Sequence, residues 1–342
     1  MIRSIADFLR NKRYTVNLWF VIISVIIFIS MVIVYWQFEK RKPLVQRASL
    51  PEEVVFVRSA DDVVNGGVMF TPKKNDTKQA AIIWIHGWGV NFYSPTYITI
   101  GRALTARGFT CIVGNTRMHD LGNVEKYKWG KRVRGGGYWG VASDEVNDLA
   151  AWIDLAESQG FSQVILVGHS AGWAAVRRYQ AEKQDKRVIG LVSASGSLYP
   201  DTRQVDSVQL EQALKMMDND EPEDLIKDPK RSFPSFISAA TFMDITNAPL
   251  EYKDFFGFSY TNPGITKIEC PLLTFFGSDD DVGNRAELEA VQSTMRKQPN
   301  LKCKVTTTII ENADHMYNGE EELVSEIIAT WANDILKKPV RK

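Results

Sequence analysis

The sequence predicts an α/β fold: a mostly parallel, eight-stranded sheet flanked by helices, with a helical cap insertion, preceded by one transmembrane helix. Three observations carry this expectation. Residues 18–36 are nineteen consecutive, almost wholly apolar residues. Beyond residue 53, short β-branched runs alternate with longer helical segments. That alternation breaks once, over residues 197–268.

Residues 1–17 read as a short basic tail and residues 18–36 as the membrane span. No charged residue lies between Arg13 and Glu39, and only Ser24, Ser30 and Tyr35 carry hydroxyls within the span. As a helix the run would be about 28 Å long, close to the hydrocarbon thickness of a bilayer. Trp19, Tyr35 and Trp36 sit near its ends, where amphipathic rings favour the interface. A cleaved signal peptide fits less well, because the run is long and no small-residue cleavage site follows it. Four basic residues flank each side, so charge assigns no orientation and the side of the catalytic domain stays open. The triplet Asn75-Asp76-Thr77 is a glycosylation sequon, a pattern that also arises by chance.

A linker, residues 37–52, carries Pro43 and Pro51. Eight strands follow: 54–59, 67–70, 80–86, 110–114, 164–168, 188–195, 272–276 and 304–310. Helices are predicted at about 96–107, 143–159, 172–184, 285–297 and 320–337. Parallel strands need such crossovers, and the helices then cover both faces of the sheet. Asn284 followed by Glu287 resembles a capping box and marks the start of the fourth of these helices. Residues 197–268 hold no strand of the main sheet but many aromatics, Phe233, Phe242, Phe255 and Phe256 among them. An insertion of that size reads equally as a cap over a site or as a packing extension.

Composition narrows the function. The chain has 342 residues, 44% hydrophobic and 24% charged, ordinary for a globular protein. Its zero net charge hides a split: residues 1–47 carry eight Lys or Arg against Asp7 and Glu39. The remainder is therefore mildly acidic, which leaves no electrostatic footprint for nucleic acid. Cys111, Cys270 and Cys303 are odd in number and form no C-x-x-C pair, so a zinc site or disulfide framework is not expected. They read as buried, inert thiols.

The stretch VILVGHSAGW, residues 164–173, raises the sharpest question: why end a buried strand in a turn so poor in side chains, with a hydroxyl at its tip? The G-x-S-x-G pattern Gly168-His169-Ser170-Ala171-Gly172 is a nucleophile elbow when a strand precedes it and a helix follows. Both conditions are predicted here. A sharp turn lifts Ser170 off the sheet edge, and small neighbours let backbone approach it. The helix N-terminus adds a favourable potential for developing negative charge.

From this point the chain resembles the α/β-hydrolase superfamily, over about residues 53–337, in its serine hydrolase or esterase-like branch. His86-Gly87-Trp88-Gly89, after the third strand, looks like that family's H-G-x-G oxyanion loop. Residues 115–120, NTRMHD, occupy the place of a D-x-R-G-H-G turn and depart from it at the first residue and at the glycines. The family's order is serine, acid, histidine. Of the four histidines only His315 lies beyond the seventh strand, in the loop expected after the eighth. His169 reads as a packing residue. Three adjacent carboxylates, Asp279, Asp280 and Asp281, compete for the acid. The family's G-x-x-D turn, here Gly277-Ser278-Asp279-Asp280, selects Asp280, with Asp279 the runner-up. The cluster also suggests a metal, but no histidine or further spaced ligand is near it in sequence, so none is expected.

The resemblance implies that His315 takes the proton of Ser170 and that Asp280 orients the imidazole. The N–H groups of Ala171 and Trp88 would hold the oxyanion. No cofactor is needed. The leading expectation is a membrane-anchored serine hydrolase cleaving an ester of a lipid or small acyl compound. An acyltransferase or peptidase would use the same triad, since specificity lives outside the elbow. A non-catalytic ligand-binding member would be expected to lack a triad position, and here all three are filled. The basic, glycine-rich loop 122–140 reads first as solvated and flexible. Contact with an anionic substrate or with headgroups is the alternative.

Overall fold

The structure is a computed structural model, and it describes residues 21–32, 44–45, 52–73, 78–126, 132–200, 205–227, 236–299 and 301–337. Residues 21–32 are helical with every side chain exposed. Among the described residues no helix is long and apolar enough to cross a membrane. The expected span of 18–36 runs past the described residues at both ends. This segment belongs to a unit, residues 1–42, separate from the unit of residues 43–342.

In the larger unit all eight expected strands form one sheet. They are β2 (Glu52–Arg58), β3 (Val64–Phe70), β4 (Ala80–Ile85), β5 (Cys111–Gly114), β8 (Gln163–His169), β9 (Val188–Ala194), β12 (Leu272–Gly277) and β13 (Val305–Ile310). The order is β2-β3-β5-β4-β8-β9-β12-β13, antiparallel from β2 to β5 and parallel from there on. A ninth strand, β1 (Leu44–Val45), lies in the expected linker and pairs antiparallel with β2. Two residues are too few to show a period, so nothing in the sequence marks them as a strand.

Five helices fill the expected crossovers: α1 (Pro95–Ala106), α2 (Glu145–Ser158), α3 (Gly172–Lys183), α7 (Arg285–Lys297) and α8 (Glu321–Leu336). At α7 the side chain of Asn284 accepts from the N–H groups of Ala286 and Glu287, satisfying two orphan donors of the first turn. The sheet is buried on both faces, and β4 shows how its sequence does this. Ala81, Ile83 and Ile85 pack on one side with Leu149 and Trp152 of α2. Ile82 and Trp84 pack on the other with Ile100 of α1 and Ile328 of α8. The period of two sends alternate side chains to opposite cores, so the strand must be apolar throughout. Each fully buried Ile contributes roughly 2 kcal/mol.

Two smaller sheets complete the fold. Within the glycine-rich loop, β6 (Asn123–Lys126) pairs with β7 (Arg132–Gly135). Gly135, Gly136 and Gly137 are buried, not solvated. The N–H of Gly136 donates to the Arg117 carbonyl and that of Gly137 to the Asp120 carbonyl. A Cβ on Gly137 would lie 2.7 Å from Trp88 Nε1, so the glycines make room for the 86–89 loop and the 115–120 turn. Residues 197–268 contain α4 (Ser207–Asp218), the pair β10 (Leu225–Lys227) and β11 (Phe236–Ser238), α5 (Ala239–Thr246) and α6 (Leu250–Lys253). Phe255 and Phe256 enter the core beside Trp173 of α3. Phe242 packs in a small cluster of the insertion's own.

Candidate active site

The elbow is built from close backbone contacts. A Cβ on Gly168 would sit 2.5 Å from the Gly172 carbonyl oxygen, and one on Gly172 would sit 2.4 Å from that of His86. Both are closer than real Cβ contacts come, so β8, α3 and the end of β4 can meet only if these positions lack side chains. Ser170 itself has φ of +52°, the left-handed region that costs a non-glycine residue about 1–2 kcal/mol. The strain aims its hydroxyl out of the sheet edge, between the ends of β4 and β8. Gly87 lies against it: a Cβ there would be 3.0 Å from Ser170 Cβ.

Three side chains far apart in sequence converge here. His315 Nε2 lies 3.1 Å from Ser170 Oγ, and His315 Nδ1 lies 2.9 Å from Asp280 Oδ1. The Asp280 side chain is fully buried. Its Oδ1 also accepts from the Val282 N–H at 2.8 Å, and its Oδ2 accepts from the Ser195 hydroxyl. Burial alone would raise this carboxyl. The hydrogen bonds from His315, Ser195 and Val282 outweigh it and hold the pKa below the ordinary carboxylate value. Of the two neighbours, Asp279 is exposed and receives the Ser278 hydroxyl, and Asp281 is exposed as well.

Ser195 is a residue that sequence reasoning missed. It is completely buried at the end of β9, with φ of +52°. It donates to Asp280 and accepts from Tyr317 Oη at 2.5 Å. Its contact is with the acid, whereas His315 Nε2 faces Ser170. A serine at a strand end carries no motif, so only the fold exposes this link.

The candidate oxyanion donors belong to the two chain segments that meet at Ser170. Ala171 is the N-cap of α3 and Trp88 follows Gly87. Gly87 N–H is already given to Tyr97 Oη at 3.2 Å. The Trp88 and Ala171 N–H groups have no acceptor among the described residues. The 86–89 loop is fixed by His86, which is buried. Its Nδ1 lies 2.7 Å from the Gly87 carbonyl and must donate, so Nε2 accepts from the Thr116 N–H at 3.0 Å. Burial pushes His86 down to about 4, which keeps it in that neutral form. The Thr116 hydroxyl in turn donates to Glu145 Oε1 at 2.6 Å. Burial raises Glu145 to about 8. Nearby, Arg117 is held by bidentate contacts to Asp61 and Asp148, which pin the 115–120 turn to α2 and to the β2–β3 loop.

A cavity of about 310 Å³ opens from this edge. Gly87, Trp88, Ala171 and Ala174 line its core side. Tyr199, Ile237, Ile245, Ala248 and Tyr252, from residues 197–268, line the other. Arg177, Arg178 and Lys253 add positive charge to its lining, and the buried Glu145 carboxyl lines it as well. Asp280, Asp281 and His315 each place one ligand atom within 4.8 Å of the others, so His315 does approach the acidic cluster, which the sequence separation hid. Both its nitrogens are already engaged, and an ion bound there would compete with the Asp280–His315 contact.

A strained serine on an elbow, an imidazole against it and a buried carboxylate behind that define the class: α/β proteins with a hydrolase-type site at the sheet's carboxyl edge. The chain belongs to the alpha/beta hydrolase family, whose sequence pattern matches residues 82–327. No curated protein sequence matches it significantly. Among solved structures it is similar to Est1E from Butyrivibrio proteoclasticus, at 16% identity over 83% of this chain and 99% of that one, with a TM-score of 0.55. It is also similar to the monoacylglycerol lipase of Paleococcus ferrophilus, at 18% identity over 79% and 98%, TM-score 0.53. A membrane phospholipase A, described as a bacterial virulence factor, aligns over 99% of this chain and 100% of its own, at 15% identity and a TM-score of 0.51. At such identities these likenesses establish the fold.

Proposed function

We propose that the protein is a serine hydrolase that cleaves a carboxylic ester of a lipid or other small acyl compound through an acyl-enzyme. The observation that carries the reading is the unbroken contact from Ser170 Oγ through His315 to Asp280, with the serine held at positive φ. His315 Nε2 removes the hydroxyl proton as Ser170 attacks the acyl carbon. Asp280 holds the proton on Nδ1 and stabilises the imidazolium. The developing oxyanion is received by the N–H groups of Trp88 and Ala171, assisted by the N-terminus of α3. His315 then protonates the leaving alcohol, and water, activated by the same imidazole, releases the acid.

The cavity supports an acyl or alcohol group of moderate size, and the residues 197–268 that line it act as a cap. One of the similar structures bears the name of a monoacylglycerol lipase, in keeping with an ester substrate. Residues 18–36 anchor the enzyme in a membrane. The support for this is their uncharged, apolar length and the helical, fully exposed segment 21–32. A panel of acyl esters of graded chain length, assayed with wild type and Ser170→Ala, tests the activity. Turnover that survives the substitution would remove the reading.

A further inference from the structure

Behind the elbow, a buried line of hydrogen bonds joins two loops that the proposed chemistry needs at a fixed separation. It begins at the Gly87 N–H, which donates to Tyr97 Oη at 3.2 Å. Tyr97 Oη lies 2.7 Å from His169 Nδ1. His169 Nε2 lies 2.8 Å from the carbonyl oxygen of His315. Tyr97 and His169 are 0% and 1% exposed, so water cannot replace any link.

Chemistry fixes the direction of each bond. A carbonyl oxygen can only accept, so His169 Nε2 carries the proton and donates to His315. A neutral imidazole then offers Nδ1 as acceptor, and the Tyr97 hydroxyl donates to it. That hydroxyl's own oxygen receives the Gly87 N–H. Burial, with His315 close by, pushes His169 down to about 3, in keeping with the single tautomer that this line requires. The rings are packed as well as bonded. His169 sits 4.9 Å from the His315 ring and 5.5 Å from that of Tyr97, and it stacks on Trp84.

We propose that Tyr97 and His169 are positioning residues that set the distance between the oxyanion loop and the base loop, by tying Gly87 to the backbone of His315 beneath Ser170. The proposal rests on the hydrolase reading above, in which Trp88, next to Gly87, supplies an oxyanion donor and His315 is the base. Neither residue touches the substrate. Their effect is on how well the donor and the imidazole are placed when charge develops, so loss of the line should appear in kcat, not in KM.

The test uses the full-length protein, a short-chain p-nitrophenyl ester and three variants. Tyr97→Phe removes one oxygen and keeps the ring. His169→Gln keeps an amide donor near the place of Nε2 and loses the Nδ1 acceptor. The third variant combines the two. Each single change should lower kcat about tenfold with KM altered less than twofold, since one buried hydrogen bond carries about that factor. Because both break the same line, the double variant should be no more than about twofold slower than the slower single. The proposal is overturned if Tyr97→Phe retains kcat within about twofold of wild type, if the loss falls in KM, or if the two effects multiply. If His169→Gln does not fold, Tyr97→Phe decides alone on the first two criteria. Fluorophosphonate labelling of Ser170→Ala, run alongside, separates this outcome from a failure of the parent reading. Labelling that persists in Ser170→Ala removes the hydrolase assignment, whereas labelling that is lost there while Tyr97→Phe stays fully active removes only the positioning line.

Discussion

His315 Nε2 lies 3.1 Å from Ser170 Oγ although 145 residues separate them in the chain. The sheet makes this contact. Ser170 follows β8 directly, His315 follows β13, and parallel strands place both loops at the same carboxyl edge. Asp280 joins them from the turn after β12.

Asp280 receives three hydrogen bonds that favour its ionised form, whereas the exposed carboxylate of Asp279 receives its neighbour's hydroxyl. Asp280→Asn should therefore lower kcat by about 10³–10⁴-fold, and Asp279→Asn by less than about threefold. Ser195→Ala, which removes one of the three bonds, should fall between them at about tenfold. Steady-state kinetics on one ester checks the ranking. Equal losses at Asp279 and Asp280 would refute the choice of acid.

Glu145 gives a prediction about stability against pH. Burial raises its pKa from the ordinary 4.5 to about 8, against the lowering effect of the Thr116 hydroxyl. Between those values the folded state holds a proton that the unfolded state has lost. The associated stability is fully present below about pH 4.5 and is lost as pH rises to about 8. Its size is on the order of a few kcal/mol. Glu145→Gln should flatten this slope. Thermal melts of wild type and variant should diverge least at pH 5 and shift in favour of the variant by pH 8.5. A wild-type melting temperature that does not fall relative to the variant's across that range would contradict the buried, protonated carboxyl.

Ala174 stands on the cavity side of α3, facing the residues of 197–268. Ala174→Phe should reduce kcat/KM for long acyl esters by tenfold or more, on the order of the loss from excluding two methylenes. Acetyl esters should change less than about threefold. Equal losses across chain lengths would mean that the acyl chain lies elsewhere.

Much of this was legible in the sequence, and the exceptions share a cause. Strand and helix periodicity located every element of the parallel sheet, and the small residues around Ser170 marked the elbow. What sequence could not offer was contact between elements without a motif. Ser195, Tyr97 and Glu145 belong to no pattern, and each matters through hydrogen bonds made across the fold. His169 was expected to pack, and it does, but both ring nitrogens are also bonded. The glycine-rich loop was expected to be solvated. Gly135, Gly136 and Gly137 are instead buried, and Trp88 and the 115–120 turn occupy space that side chains at Gly137 and Gly136 would need.

The anchoring of residues 18–36 can be checked by fractionation. Full-length protein should stay with carbonate-washed membranes, since about nineteen apolar residues favour insertion strongly. Protein lacking residues 1–42 should move to the supernatant. Release of the full-length chain by carbonate alone would contradict a spanning helix.

The central claim, that Ser170 is the nucleophile, is tested most directly by locating a covalent adduct. After reaction with a fluorophosphonate, peptide mass spectrometry should place one phosphonyl group on the peptide that contains Ser170. Ser195→Ala should still be labelled, and Ser170→Ala should not. An adduct on Ser195, or an unchanged adduct in Ser170→Ala, would contradict the account.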